Sequence, residues 1–99
     1  MARLEFAARA EADLDRIYEF ATSSDLLAAA AVVDLIFEAL QILERHPMMG
    51  RLAEGSLREL VISRGKTGYV ALYDYLPKED LVLVLALRHQ REAGYPAQS

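Results

Sequence analysis

An unbroken apolar run near the end of this 99-residue chain leads into groups that could do chemistry. Leu81 to Leu87 is followed at once by Arg88 and His89, with Arg91 two residues on and Tyr95 beyond it. Histidine titrates near neutrality and can move a proton, and flanking guanidinium groups can hold a phosphate. The plainer reading is a solvated strand end that leads into a tail. Either way, a strand apolar on both faces is a buried strand. The polarity switch between Leu87 and Arg88 therefore marks where the chain leaves the core.

A second set is aromatic. Tyr69, Tyr73 and Tyr75 alternate along one stretch with Ala71 between them, so they share a strand face. Such a face can stack bases, although tyrosines more often line a partly buried sheet with their hydroxyls at its rim. Core or peptide-groove lining is the favoured reading. Arg64 and Lys66 sit in the preceding turn, where they could meet a phosphate or an acidic partner or simply keep a hairpin soluble. Arg58 either faces inward and is paired or sits at an edge that discourages strand pairing. His46 precedes Pro47 with no second ligand at metal spacing, which makes it structural. The chain has no Gly-rich phosphate loop, no Gly-x-Ser-x-Gly elbow and no His-Glu-x-x-His pair. No metal or cofactor is expected.

The elements that must position these residues follow from periodicity. Arg3 to Phe6 alternates as a short strand. Glu11 to Ala21 repeats Leu14, Ile17, Tyr18 and Ala21 at helical spacing, and Glu11 with Asp13 suits the positive end of the helix dipole. Thr22 to Asp25 punctuates the chain, with hydroxyls able to cap the next helix and a loose capping-box spacing from Thr22 to Asp25. Asp25 to Arg45 is the longest helical segment. Its polar stripe is Asp34, Glu38, Gln41 and Arg45. Val32, Leu35, Ala39 and Ile42 lie opposite, flanked by Ile36, Leu40 and Leu43, and the alanines at 28 to 31 allow close approach of another helix. His46-Pro47 ends it, and Met48 to Ser56 reads as a connecting loop. Three strands follow: Leu57 to Ile62, Tyr69 to Leu76, and Leu81 to Arg88 as the expected central strand. The order is β-α-α-β-β-β, an α+β fold with an N-terminal helical hairpin on one face of a small, mainly antiparallel sheet. A single domain is expected over residues 1–95, with 96–99 as a short tail.

Composition narrows the function classes. Apolar residues make up 54% of the chain, which excludes disorder, and the length suits one core. Asp34 and Glu38 interrupt the one long apolar stretch, so no membrane span is expected, and the mixed charges of the first fifteen residues do not resemble an export signal. The absence of cysteine removes disulfides and thiolate metal sites and fits a cytoplasmic location. Net charge is −4, with −5 in residues 1–54 and +1 in residues 55–99. Proteins that bind nucleic acid directly draw most of their affinity from a cationic excess; this chain has none overall, so direct nucleic-acid binding is not the expectation, although a small local patch stays open to it.

In this order the residues resemble the RelE/ParE superfamily, the toxins of type II toxin–antitoxin modules, over nearly the whole chain. The resemblance rests on Ala12-Asp13-Leu14-Asp15-x-Ile17, Leu43-x-x-x-Pro47-x-x-Gly50-Arg51, Arg58-Glu59-Leu60, Tyr69-x-x-x-Tyr73 and Leu85-Ala86-Leu87-Arg88-His89. It implies one of two activities. RelE-like members are metal-free, ribosome-dependent messenger-RNA endonucleases, and His89, Arg91 and Tyr95 fall where those enzymes place C-terminal catalytic groups. ParE-like members share the fold and poison DNA gyrase. Val70 stands where the nucleases often carry an arginine, and Leu60-Val61-Ile62-Ser63 replaces a lysine-rich strand. With the acidic balance, these departures favour the ParE-like, non-enzymatic reading. An inactive, antitoxin-binding member is the third expectation. All three imply a cognate antitoxin whose C-terminal segment folds on the toxin, with Arg58, Arg64, Lys66, Tyr73, Arg88, His89 and Arg91 as the expected antitoxin- or target-binding residues.

Overall fold

The computed structural model describes residues 1–23, 25–64 and 67–90. Its elements are β1 (Arg3–Phe6), α1 (Ala8–Thr22), α2 (Leu26–Arg45), β2 (Arg51–Leu52), β3 (Arg58–Arg64), β4 (Thr67–Leu76) and β5 (Leu81–His89). The strands form one sheet in the order β1-β5-β4-β3-β2. β1 runs parallel to β5, and the other three pairs are antiparallel. The two helices pack on one face, which gives the expected α+β architecture with one strand more than the sequence suggests.

That extra strand lies in the segment expected to be loop. Arg51 and Leu52 pair with Glu59 and Arg58, joined through a turn in which the Ala53 N–H donates to the Leu57 carbonyl at 2.9 Å. The expected centre of the sheet also shifts by one strand. β1 adds to the outer side of β5 along Leu81–Val84, so β5 is interior but β4 occupies the middle.

Helix α1 starts three residues before the expected Glu11. Ala8, Arg9 and Ala10 are good helix formers, and the single linking residue, Ala7, donates its N–H to the Val84 carbonyl at 2.9 Å. At the other end, Thr22 and Ser23 do not cap the second helix. Their hydroxyls turn back to the carbonyls of Glu19 (2.7 Å) and Phe20 (2.6 Å) and close α1. Asp25 is the cap of α2, accepting from the Leu27 N–H at 2.9 Å.

The buried line of α2 is Ala29, Ile36, Leu40 and Leu43, while Ile42 is exposed. Val32, Leu35 and Ala39 are only partly buried beside it. The helix is thus turned by about one residue, roughly 100°, from the face opposite its charged stripe, because it must meet both α1 and the sheet. By length and composition α2 is also long and apolar enough to cross a membrane, contrary to expectation. In the fold it buries Ala29, Ile36, Leu40 and Leu43, while most of that apolar stretch, Leu26 and Leu27 among it, stays at the surface.

The helix-covered face of the sheet carries Leu60, Ile62, Tyr69, Ala71, Tyr73, Val82, Val84 and Leu87. A register shift keeps it continuous. Leu72 pairs with Ala86 but Tyr73 pairs with Val84, leaving Leu85 as an extra residue on β5. This bulge lets Val84 and Leu87, three residues apart, point to the same side.

Candidate functional site

Two constructions place the candidate residues, and the first ends β5. β1 stops at Phe6, which pairs with Val84, so beyond that point no described strand lies on the outer side of β5. Helix α1 fills the position with side chains. Asp13, only 7% exposed, accepts from the Leu87 N–H at 2.9 Å. Arg16 donates to the Leu87 carbonyl at 3.3 Å and lies 3.7 Å from the Asp13 carboxylate. The carboxylate and guanidinium together imitate a neighbouring strand at the last residue before the basic cluster. Asp13 was expected to complement the helix dipole, but its principal contact lies 74 residues away.

Past this clamp, Arg88 pairs with Val70 and His89 with Tyr69, so the two side chains leave opposite faces of the sheet. The Arg88 guanidinium folds toward its own strand end, donating to the carbonyls of His89 (3.3 Å) and Gln90 (3.4 Å). The half-buried His89 ring meets Tyr69 edge-on, with centroids 5.2 Å apart. Tyr69 is itself buried, which pushes its phenol above its ordinary range.

The second construction holds the segment from Pro47 to Gly50. Tyr73, fully buried, donates its hydroxyl proton to the Pro47 carbonyl and accepts from the Gly50 N–H, both at 2.8 Å. Arg58, opposite Tyr73 in the sheet, donates to the carbonyls of Gly50 (2.7 Å) and Met48 (3.2 Å). Burial raises the Tyr73 phenol, a push that the Gly50 N–H and the Arg58 charge only partly offset. Gly50 must be glycine, since a Cβ there would lie 2.6 Å from the Tyr73 oxygen and 2.8 Å from the Glu59 carbonyl. Arg51 adds a 3.3 Å ion pair to Glu59.

With its carbonyls drawn inward, this segment turns its side chains out. Met48, Met49 and Leu52 are each more than half exposed, and His46 and Pro47 continue the apolar surface. Sequence reading passed over this surface as loop. The available signal was two adjacent methionines and a leucine in a segment with no core periodicity to account for them.

The predicted site residues therefore separate. Tyr73 is a buried anchor and presents nothing at the surface, which corrects its assignment to partner binding. The hydroxyl that sheet-face reasoning put at a rim has its partners beneath the 47–50 segment. Arg58 faces inward and is paired, one of its two expected states. About 13 Å of β4 separates Tyr73, beside Arg58, from Tyr69, beside His89. Arg88 and His89 sit together at the strand end but diverge. Arg64 ends β3 opposite Thr67, and its side chain lies outside the described structure. Lys66, Arg91 and Tyr95 lie outside the described residues. Among those described, no three histidine or carboxylate side chains converge on a metal position.

Comparison with known proteins agrees with this architecture. Toxin RelE3 of Caulobacter vibrioides is 33% identical over 92 residues, covering 93% of this chain and 98% of that protein. A chromosomal ParDE toxin–antitoxin structure from P. aeruginosa superposes with a TM-score of 0.74 at 24% identity, over 90% of this chain and 96% of that one. A chain of the intact E. coli RelBE toxin–antitoxin complex gives a TM-score of 0.68 at 14% identity, over 93% and 100%. At those identities the two structures speak for the fold alone. The family described as the ParE toxin of the type II toxin–antitoxin system parDE matches residues 4–94. With nearly the whole chain matched, this protein belongs to the ParE toxin family of type II toxin–antitoxin systems.

Proposed function

We propose that the protein is a ParE-like toxin that acts in the cytoplasm by inhibiting DNA gyrase, without catalysing a reaction itself, and that a cognate antitoxin neutralises it. The observation that carries this reading is that the phenol and the guanidinium groups described around the paired strands are engaged by the fold itself; of the candidate nuclease groups His89, Arg91 and Tyr95, only His89 lies among the described residues. Tyr73 and Arg58 are bonded within the 47–50 network, Arg88 bonds its own strand end, and Val70 occupies a buried position beside it. Phosphoryl transfer without a metal needs preorganised cations aimed at the transition state, and losing one costs orders of magnitude in rate. The exposed Met48, Met49 and Leu52 with Arg51 beside them make a surface for an apolar and acidic segment instead. ParDE and RelBE are both toxin–antitoxin systems, which supports an antitoxin as its occupant.

The test is plasmid supercoiling by purified gyrase with the full chain added. Inhibition with trapped, protein-linked cleaved DNA is the expected result. Unchanged supercoiling at stoichiometric excess overturns the proposal. A RelE-like ribonuclease is the second reading, favoured by the relative named RelE3. It predicts messenger cleavage on translating ribosomes that disappears in His89→Ala, and intact transcripts would count against it.

A further inference from the structure

The sheet has a second open margin, at the end away from β2. β1 pairs only with β5, and no described strand lies outside it. The Arg3 and Ala7 N–H groups donate to the carbonyls of Asp80 (2.8 Å) and Val84 (2.9 Å). The main-chain groups of the residues between them in the alternation, Leu4 and Phe6, therefore point outward. An unpaired edge of this kind is a template for another strand unless something blunts it.

The surface beside that edge has a definite chemistry. A groove of about 500 Å³ runs along it, floored by Leu4, Phe6, Leu14 and Phe37, with the Phe6 and Phe37 rings 5.7 Å apart. Its rim is acidic, formed by the exposed side chains of Glu5, Glu11 and Asp15. Glu5 has a long 3.8 Å ion pair to Arg3. Glu11 and Asp15 are one helical turn apart, a like-charge pair that destabilises the helix on its own. Pairing of two copies along β1 would bring both acidic rims together, so a second copy is disfavoured.

We propose that the β1 edge and its acid-rimmed groove form a docking site for an extended, basic and apolar segment of a partner protein. The segment adds a strand outside β1, places an apolar side chain against Phe6 and Phe37, and sets lysine or arginine against Glu5, Glu11 and Asp15. The site lies on the acidic N-terminal half of the chain, apart from the Met48–Leu52 surface, and it does not depend on the gyrase assignment. It asks for the opposite charge from the segment expected at that surface.

The test uses the full chain and a fluorescent Lys-Leu-Arg-Phe-Lys peptide, followed by anisotropy and by amide exchange. The wild-type protein should bind it, with slowed exchange at the Leu4 and Phe6 amides. The combined Glu5→Gln, Glu11→Gln and Asp15→Asn variant should lose about tenfold in affinity, the scale of three partly exposed charge pairs. A charge-matched control, Asp34→Asn with Glu38→Gln and Glu54→Gln, should bind as wild type does. Equal losses in both variants, equal binding of a Glu-Leu-Glu-Phe-Glu peptide, or no binding at millimolar peptide would overturn the proposal. So would a concentration-dependent dimer abolished by the groove variant, which would make a second copy the occupant. The exchange readout on wild-type protein stands even if a variant fails to fold.

Discussion

Tyr73→Phe removes one oxygen from the interior and leaves the ring in place, so it opens almost no cavity. The residue is fully buried, and the lost oxygen serves two partners, the Gly50 N–H and the Pro47 carbonyl, each at 2.8 Å. A net hydrogen bond contributes about 1 kcal/mol, and a stranded buried donor costs about 1–3 kcal/mol. The Gly50 N–H is such a donor, so the variant should lose about 2–3 kcal/mol. Domains of this size have roughly 5–15 kcal/mol in total and lose about 4–8 °C of melting temperature per kcal/mol. A fall of roughly 10–20 °C in thermal unfolding, with a matching drop in the urea midpoint, is expected. A loss under about 0.5 kcal/mol would mean that water replaces the phenol oxygen, and the network would not be what holds the segment.

The same variant carries a pH signature. Burial holds the Tyr73 phenol above its ordinary value of 10.0, so the folded state keeps the proton more tightly than the unfolded chain. That contribution is complete below the unfolded value and is lost as pH rises through the folded one. Wild-type stability should fall in that window by up to about 1.4 kcal/mol per pH unit for each such group. Tyr69, raised by the same cause, remains in both proteins and cancels. The deficit of Tyr73→Phe should therefore narrow above about pH 10. Parallel stability curves from about pH 9 to 11.5 would refute the assignment.

Other substitutions probe the remaining contacts. Gly50→Ala puts a Cβ against the Tyr73 oxygen and the Glu59 carbonyl and should cost about 3 kcal/mol in urea unfolding. It should cost less in a Tyr73→Phe background, where the contact with the oxygen is gone although those with the ring Cε1 at 2.7 Å and the Glu59 carbonyl at 2.8 Å remain, and strict additivity would contradict that. Asp13→Ala strands the Leu87 N–H and should lose about 2 kcal/mol, with faster hydrogen exchange at the Leu87 amide as the local readout. Asp25→Ala removes the cap of α2 and should cost about 1 kcal/mol, whereas Thr22→Ala, which touches only the end of α1, should leave α2 exchange unchanged. Arg58→Met frees the carbonyls of Met48 and Gly50. It should weaken capture of the cognate antitoxin by more than its loss of stability explains, as measured by calorimetry.

What the sequence made legible was whatever depends on near neighbours. Helical repeats at three and four residues placed both helices, alternation placed β3 and β4, and the unbroken apolar run placed β5, because those signals are written among near neighbours in the chain. β2 was invisible because its two residues gain their conformation from a partner strand eight residues or fewer away across a turn, not from their own propensity. The tyrosine face was read correctly as core lining, yet the role of Tyr73 was not, since its hydroxyl meets Gly50 23 residues away and Pro47 26 residues away. The buried line of α2 was misplaced by one residue because burial on a helix that meets two neighbours need not oppose its charged stripe.

The residues that announce the family are largely those that hold the fold. Pro47, Gly50, Arg58 and Tyr73 form one network, and Arg51 pairs with Glu59 beside it. Asp13 of the first-helix motif clamps Leu87 of the closing one. Such residues are constrained by bonds to each other, so they identify the scaffold whatever the scaffold acts on. The exposed surfaces that neither network fixes lie elsewhere: Met48, Met49 and Leu52 on the held segment, and the acidic groove beside β1. Toxins that share this core can therefore differ in target without changing the motifs by which they are recognised. The discriminating experiments are those that alter the exposed surfaces and leave the two networks intact.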